Sequence, residues 1–235
     1  MLFRSRVTYD GQTTSRQCDF YMVANRLLYD DFGDPGTGWA TGDRTNYSLN
    51  YVDGEYQMLV KSPYRVVRST APGLNLGDAV LEVEARNAGS VVGAYGLLLA
   101  ISADNQSFYM LAVSSDGFYK VTLLASGAWE TLIDWTESPF VSRAEAINHL
   151  MTVRRGDEIS LYANGAYLAT VMDSTLGSGG VGLVAQAFEE GGVDLRFDSF
   201  RAYQPEGFAT SAEPGPQGGS DRDADVQAPD LGPGR

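Results

Sequence analysis

Two consecutive residues, Asn164 and Gly165, constrain the fold of this chain more than any other feature. Asn and Gly tolerate the positive φ angles of a type I′ turn, and Asn-Gly between two β-rich runs is the strongest short-range signal for a β-hairpin. Apolar and aromatic residues flank the turn at Ile159, Leu161, Tyr162, Tyr167, Leu168 and Val171. Two more strand-like runs follow at 180–188 and 193–203. This stretch therefore predicts closely spaced antiparallel strands.

Earlier residues repeat the pattern of short apolar runs separated by turn residues. Strand-like runs lie at 27–32, 55–61, 64–69, 79–86, 93–102, 107–114, 118–125, 129–135 and 148–155. With about thirteen strands and turns roughly every 8–12 residues, we expect an all-β fold of two packed antiparallel sheets. The boundaries divide the chain into an irregular N-terminal segment (1–26), a β-sandwich (27–203) and a disordered, acidic, Pro/Gly-rich tail (204–235).

Alternation assigns faces within the strands. In the run 79–86, Glu82, Glu84 and Arg86 share one side, while Leu81 and Val83 share the other. The run 93–102 is apolar on both sides, so we expect a central strand that is covered on both faces or opens onto a groove.

Charge and composition exclude several functions. The formal net charge of −13 argues against binding to nucleic-acid phosphates or to anionic lipid, both of which need clustered basic residues. No run approaches the roughly 20 apolar residues that insert into a bilayer. The N-terminus has no apolar core typical of a signal peptide. Cys18 is the only cysteine and His149 the only histidine, so neither an internal disulfide nor a zinc site built from several Cys or His is predicted.

The order of several motifs resembles the concanavalin A-like lectin/glucanase superfamily, in its laminin-G-like and keto-disaccharide-hydrolase-like branch. The motifs are DDFGDPGTGW (30–39), YVDGEYQM (51–58), LEVEAR (81–86), YGLLLAIS (95–102), SFYMLAVSSDGFYKV (107–121), NHLMTVRRGDEISLYANGAYLATV (148–171), GGVGLVAQAF (179–188) and VDLRFDSFRAY (193–203). The resemblance implies a two-sheet jelly-roll sandwich over residues 27–203. It also implies a location outside the cytoplasm or at the cell surface. This fold serves lectins, glucanases, adhesion modules and spacers, so it does not fix the function.

Catalysis is not predicted. Glucanases of this superfamily carry the strand motif E-x-D-x-x-E, whose acids act as nucleophile, helper and acid/base. The nearest match here is LEVEAR, where Glu84 replaces the aspartate and Asn87 follows without a third acid. The catalytic carboxylate motif is therefore incomplete.

A calcium site is one hypothesis for the ends of the sandwich. Asp30 and Asp31 end the first strand, and Asp198 lies in the last. First and last strands commonly pair in such sandwiches, and Ca²⁺ takes six to eight oxygen ligands. The alternative is that these acids cap strands or pair with Arg196 or Arg201.

Aromatic residues on the central strands predict a sugar-binding groove on the concave face of one sheet. Sugar C–H faces stack on rings, while sugar hydroxyls need planar polar partners. The candidate platform residues are Tyr95, Tyr109, Tyr119 and Trp135, with Arg86 and Gln186 as hydrogen-bonding groups. The alternative for each ring is core packing, and Trp39 in the DPGTGW turn is expected to plug the end of the sandwich.

We therefore expect a non-catalytic binding or assembly module whose partner is a glycan or a protein. Two alternatives stay open. The first is a structural subunit of a larger extracellular assembly, in which residues 1–26 pair onto a neighbour's sheet edge. The second is a glycoside-cleaving enzyme.

Overall fold

The computed structural model describes residues 4–9, 12–17, 23–205 and 223–227, with side chains described for 25–205. This part of the chain contains strands, one short 3₁₀ turn at Pro35–Thr37 and no α-helix. None of its elements is a helix long and apolar enough to cross a membrane.

The described residues form eighteen strands. They are β1 (Arg4–Tyr9), β2 (Gln12–Gln17), β3 (Val23–Asp30), β4 (Gly42–Asp43), β5 (Tyr47–Val52), β6 (Glu55–Val60), β7 (Arg65–Thr70), β8 (Ala79–Asn87), β9 (Gly93–Ile101), β10 (Phe108–Ser114), β11 (Phe118–Ala125), β12 (Ala128–Glu137), β13 (Asn148–Arg155), β14 (Glu158–Ala163), β15 (Ala166–Met172), β16 (Gly180–Ala187), β17 (Val193–Pro205) and β18 (Asp223–Gln227).

Two antiparallel sheets face each other. The seven-stranded sheet has the order β12-β11-β10-β9-β16-β7-β18, and the nine-stranded sheet includes the path β15-β14-β13-β8-β17-β6-β5-β4. Along one edge of the long strand β17, the first half pairs with β6 and the second half pairs with β3. The predicted all-β, two-sheet antiparallel sandwich is confirmed.

The Asn-Gly hairpin has the predicted geometry. Asn164 and Gly165 have φ angles of 53° and 78°, and Ala163 pairs with Ala166 directly across the turn. Positive φ at both central residues is what a type I′ turn requires. The alternation in β8 is confirmed as well, because Leu81 and Val83 are buried between the sheets while Glu82 and Glu84 are half-exposed.

The ends of the predicted domain show additional strands. Strand β3 begins at Val23, four residues before the expected start at Leu27. Within the segment expected to be irregular, β1 and β2 form a hairpin. Within the segment expected to be a disordered tail, 204–205 end β17 and 223–227 form β18, which pairs with β7. The other residues of these two segments lie outside the described part.

One continuous apolar core fills the space between the sheets, and an aromatic group closes one end of it. The Trp39 side chain is 3% exposed and packs edge-on against Phe32 and Phe200, with ring centroids 5.4 and 5.1 Å away. Its Nε1 donates to Asp30 Oδ2 at 2.9 Å, which satisfies the indole N–H inside the core. Trp39 therefore plugs the end of the sandwich, as predicted.

Candidate functional site

The structure places the predicted platform tyrosines on the wrong side of their sheet for a groove. Tyr95 and Tyr109 are fully buried in the core between the sheets. The Tyr95 hydroxyl accepts a hydrogen bond from Asn148 Nδ2 at 2.8 Å, and the Tyr109 hydroxyl lies 2.5 Å from Asp173 Oδ1 and accepts from the Leu176 backbone N–H. Both rings join the two sheets, so the prediction that they form a sugar platform is wrong.

Tyr119 and Arg86 are also separated from the proposed groove. Tyr119 packs against the core between the sheets, and its hydroxyl approaches Leu168 O at 3.4 Å. Arg86 lies on β8 in the nine-stranded sheet, where its guanidinium forms two hydrogen bonds to the Glu55 carboxylate at 2.9 and 2.7 Å. This ion pair raises the pKa of Arg86. The six predicted ligand residues therefore do not meet at one site.

Trp135 and Gln186 do share a surface, the outer face of the seven-stranded sheet. A second apolar cluster lies there, away from the core between the sheets. We call this surface the Trp135 face and define it by Arg68, Phe108, Met110, Lys120, Trp129, Trp135, Gln186 and Phe188, together with the small residues between them.

A cross-strand row forms the middle of the Trp135 face. Direct pairing across five adjacent strands aligns Lys120, Ala112, Gly96, Val184 and Arg68. At about 4.8 Å per strand, the Cα atoms of Lys120 and Arg68 lie roughly 19 Å apart across the sheet. Small residues occupy two of the three positions between them. Gly96 is required there, because a Cβ would lie 2.0 Å from Leu111 O.

One ring contact bridges the width of the face. Trp135 belongs to β12 and Phe188 follows β16, with three strands between them, yet their ring centroids are only 5.7 Å apart. Their strands would be roughly 19 Å apart in a flat sheet. The two side chains therefore reach toward each other over the strands between them, and we call the buried strip of sheet beneath them the trough. A second edge-to-face pair, Phe108 with Trp129, has centroids 5.7 Å apart.

The two cations of the row are held by rings and polar neighbours. Lys120 Nζ lies 5.7 Å from the Trp135 ring centroid and 3.6 Å from an oxygen of exposed Asp134. Burial lowers the pKa of Lys120, and Asp134 opposes that shift. The Arg68 guanidinium lies 5.3 Å from the Phe108 ring centroid, and its Nη1 donates to Asn105 Oδ1 at 3.0 Å. Both side chains are almost fully buried, as is Gln186.

The strands that form the floor of this trough contribute no carboxylate, although exposed Asp134 on neighbouring β12 approaches Lys120. The five strands β7, β9, β10, β11 and β16 contain neither Asp nor Glu. Glycoside cleavage generally uses two carboxyl groups on either side of the scissile bond. The glutamates of LEVEAR lie instead on the outer face of the nine-stranded sheet, where Glu84 pairs directly with Asp198. Burial raises the pKa of Asp198, with smaller contributions from Glu84 and Glu55.

The three predicted calcium ligands do not form a cluster. Asp30 is buried, and its two carboxylate oxygens accept hydrogen bonds from Phe32 N and Trp39 Nε1 at 2.8 and 2.9 Å. Asp31 is exposed and accepts from Gly33 N. Asp198 lies on the outer face of the nine-stranded sheet. Among the residues whose side chains are described, no group of three or more His, Cys, Asp or Glu could hold a metal ion.

Solved structures with the same architecture are numerous. A carbohydrate-binding module, CBM66 from Bacillus subtilis, has a TM-score of 0.58 and 18% identity, covering 72% of this chain and 96% of its own. A galectin-like protein of unknown function from Bacillus subtilis has a TM-score of 0.60 and 11% identity, covering 79% and 98%. The β-glucanase of Bacillus licheniformis has a TM-score of 0.55 and 10% identity, covering 79% and 100%.

No protein-family model matches the chain, and the curated proteins contain no similar sequence. The likeness is therefore one of fold, shared by a binding module and by an enzyme that cleaves glycans. On these structures and on the strand topology, the fold is a concanavalin A-like jelly-roll sandwich.

Proposed function

We propose that this chain is a non-catalytic glycan-binding module and that the Trp135 face is its binding surface. The observation that carries the proposal is the row from Lys120 to Arg68, with its small-residue floor beneath the ring of Trp135. Sugar rings stack on indole faces, and sugar hydroxyls accept hydrogen bonds from lysine, guanidinium and amide donors. Gln186 supplies the amide on a neighbouring row.

Access to the row requires a side-chain movement. Lys120, Gln186 and Arg68 are 4%, 2% and 2% exposed, and Trp135 and Phe188 touch above the trough. A glycan therefore first meets the half-buried Trp129 and Trp135, and it reaches the donors only after the side chains that cover them, Trp135 and Phe188 among them, move aside. Binding that waits for a conformational change associates more slowly than rigid docking.

The non-catalytic part of the proposal rests on the carboxylate-free strands under the trough. A location outside the cytoplasm or at the cell surface belongs to the same proposal, because polymeric glycans are found there. A protein ligand for the same face, or a role as an assembly subunit, is the alternative within the binding class. Calcium dependence is tested alongside, because Asp31 is exposed next to Asp30.

A second candidate function, glycoside cleavage, draws on a different surface. Glu84 and Asp198 face each other across β8 and β17, and the pKa of Asp198 is raised. A carboxyl group with a raised pKa beside a second carboxyl group is typical of the general acid in such enzymes. If this function is right, Asp198→Asn abolishes hydrolysis of a glycan that the unmodified chain cleaves. If the binding proposal is right, the unmodified chain releases no reducing ends from any glycan that it binds.

A glycan array probed with the full chain tests the binding proposal. The chain is applied with Ca²⁺ and with a chelator, and each hit is then measured with Trp135→Ala and with Tyr167→Ala. Tyr167 is a matched control, because its ring is 56% exposed and lies on β15 of the other sheet. We expect Trp135→Ala to weaken binding at least tenfold and Tyr167→Ala to leave it unchanged. An array without hits, or equal effects of the two variants, would contradict the proposal.

A further inference from the structure

A bulge in β3 changes which residues of that strand share a face. Tyr29 pairs with Arg201 and Leu28 with Ala202, but Tyr203 pairs with Arg26, so Leu27 has no partner on β17. In a regular strand, residues three apart point to opposite faces. The extra residue brings Arg26 and Tyr29 to the same face, and bulges commonly re-aim side chains near functional sites.

This arrangement stacks two guanidinium groups on one tyrosine. Arg26 Cζ and Arg201 Cζ each lie 5.2 Å from the centroid of the Tyr29 ring. The ring is 41% exposed, and Arg26 is exposed as well. Two like charges repel, so their shared position next to one ring favours a negative group between or beside them.

The donors of the two guanidiniums are largely available. Arg201 Nη1 donates to Ser199 O at a long 3.4 Å, and among the residues with described side chains Arg26 contacts the Tyr29 ring. Neither guanidinium forms an ion pair with a described carboxylate, although Glu82 stands opposite Arg201 across β8. Stacking occupies the flat face of a guanidinium and leaves its edge free for a bidentate carboxylate.

Tyr203 extends the same surface. It pairs with Arg26 across the strands. Burial and Glu82 raise the pKa of Tyr203, and both arginines oppose that rise. Its phenol therefore lies within the electrostatic reach of both cations and adds a hydroxyl donor. The surface of Arg26, Tyr29, Arg201 and Tyr203 combines two charges, an exposed ring and a hydroxyl on the sheet opposite the Trp135 face.

We propose that Arg26, Tyr29, Arg201 and Tyr203 form a second binding site, which takes the carboxylate of an acidic saccharide. The inference of an anion site depends only on the bulge in β3 and on the two contacts between a guanidinium and the Tyr29 ring. The choice of a saccharide as the carrier of the carboxylate rests on the proposed function. The overall charge of −13 repels long polyanions, so the site favours a short acidic oligosaccharide or a chain end.

Calorimetric titration of the full chain with trigalacturonate tests this site. The matched probe is the fully methyl-esterified trimer, which keeps the sugar rings and loses the charges. We expect the acid form to bind and the ester to bind at least tenfold more weakly. Raising the salt concentration weakens the acid form only, because the attraction is between charges. Sodium acetate is added as a competitor at the same carboxylate concentration as trigalacturonate. If the sugar contributes to binding, acetate competes only weakly. If acetate competes as well as trigalacturonate does, the site recognises the carboxylate alone and the saccharide part of the proposal is wrong.

Variants distinguish this site from the rest of the surface. Arg26→Gln and Arg201→Gln each weaken trigalacturonate binding at least fivefold, whereas Tyr29→Phe keeps it because the ring remains. Arg143→Gln is the control, since Arg143 is an exposed arginine on a distant loop that pairs with Glu137. We expect Trp135→Ala to leave this binding unchanged. The test therefore remains valid even if the Trp135 face binds no glycan. Ester binding equal to acid binding, an absence of binding at millimolar concentration, or wild-type affinity in both arginine variants overturns the proposal.

Discussion

The Tyr95 hydroxyl and the Asn148 side-chain amide are 2.8 Å apart, and this hydrogen bond joins a central strand of each sheet. Asn148 also donates to Ser142 O and accepts from Ser142 N and Asn164 Nδ2. One buried amide thus connects the two sheets, the loop before β13 and the Asn-Gly hairpin.

Removing the Tyr95 hydroxyl should destabilise the sandwich. Tyr95→Phe keeps the ring but deprives one Asn148 N–H of its partner in the core, which costs about 1–2 kcal/mol. Urea unfolding measures the difference. Tyr119→Phe is the control, because its hydroxyl makes only a 3.4 Å contact, and we expect it to change the stability by less than about 0.5 kcal/mol. Equal stability of Tyr95→Phe and the unmodified chain would argue against a structural role for this bond.

Stability should fall in strongly alkaline solution because of the same residue. Burial raises the pKa of Tyr95 from 10.0 to about 12. Between these values the unfolded chain has lost the phenolic proton and the folded chain has kept it, so the free energy of unfolding decreases as the pH rises. The slope from one residue is roughly 1.4 kcal/mol per pH unit. Tyr109, whose pKa is also raised to about 12, contributes to the same fall, so unfolding measured from pH 9 to 12 should show a slope that Tyr95→Phe lowers by about one residue's share.

The two adjacent aspartates at the end of β3 should differ sharply in their contribution to stability. Asp30→Ala leaves the buried Trp39 Nε1 and Phe32 N without their acceptor, at a cost of about 3 kcal/mol. Asp31→Ala removes a single exposed contact to Gly33 N, which is worth less than about 1 kcal/mol. Thermal unfolding of both variants, repeated with Ca²⁺, measures the difference. Similar losses in the two variants would be inconsistent with the assignment of Asp30 to the Trp39 contact.

Opening the trough should speed binding. Phe188→Ala removes the ring that touches Trp135, so a glycan that binds the Trp135 face no longer waits for that contact to open. We expect the association rate constant to rise severalfold in surface-based kinetic measurements. The control is Phe140→Ala, an exposed ring on the loop after β12, which leaves the rate unchanged. A slower or unchanged rate in Phe188→Ala would argue that the contact does not gate the trough.

The strands and the hairpin could be predicted from the sequence because their signals are local. The φ preferences of Asn164 and Gly165 act within the turn itself. In β8 the alternation of Glu82 and Glu84 with Leu81 and Val83 contrasts polar with apolar side chains, so the buried side is unambiguous.

The site could not be predicted in the same way because β10 is apolar on both sides. Met110 and Tyr109 point to opposite faces, and nothing in that strand says which one meets the other sheet. The neighbouring strand carried the missing signal. Lys120 lies between Tyr119 and Val121, and a lysine is unlikely to point into an apolar core. Its side identifies the outer face, and the pairing of Lys120 with Ala112 then places Tyr109 and Tyr119 inside. Arg86 was misplaced because alternation does not reveal which strands share a sheet.

The indole N–H signals of the three tryptophans show most directly whether a glycan binds at the Trp135 face. The chain contains only Trp39, Trp129 and Trp135, so a ¹⁵N-labelled sample gives three resolved indole signals, assigned by single Trp→Phe variants. On titration with a glycan found on the array, we expect the Trp135 signal to shift until the protein is saturated. The Trp39 signal, held by Asp30 inside the core, stays in place. A glycan that binds while the Trp135 signal remains unmoved would show that the Trp135 face is not the binding surface.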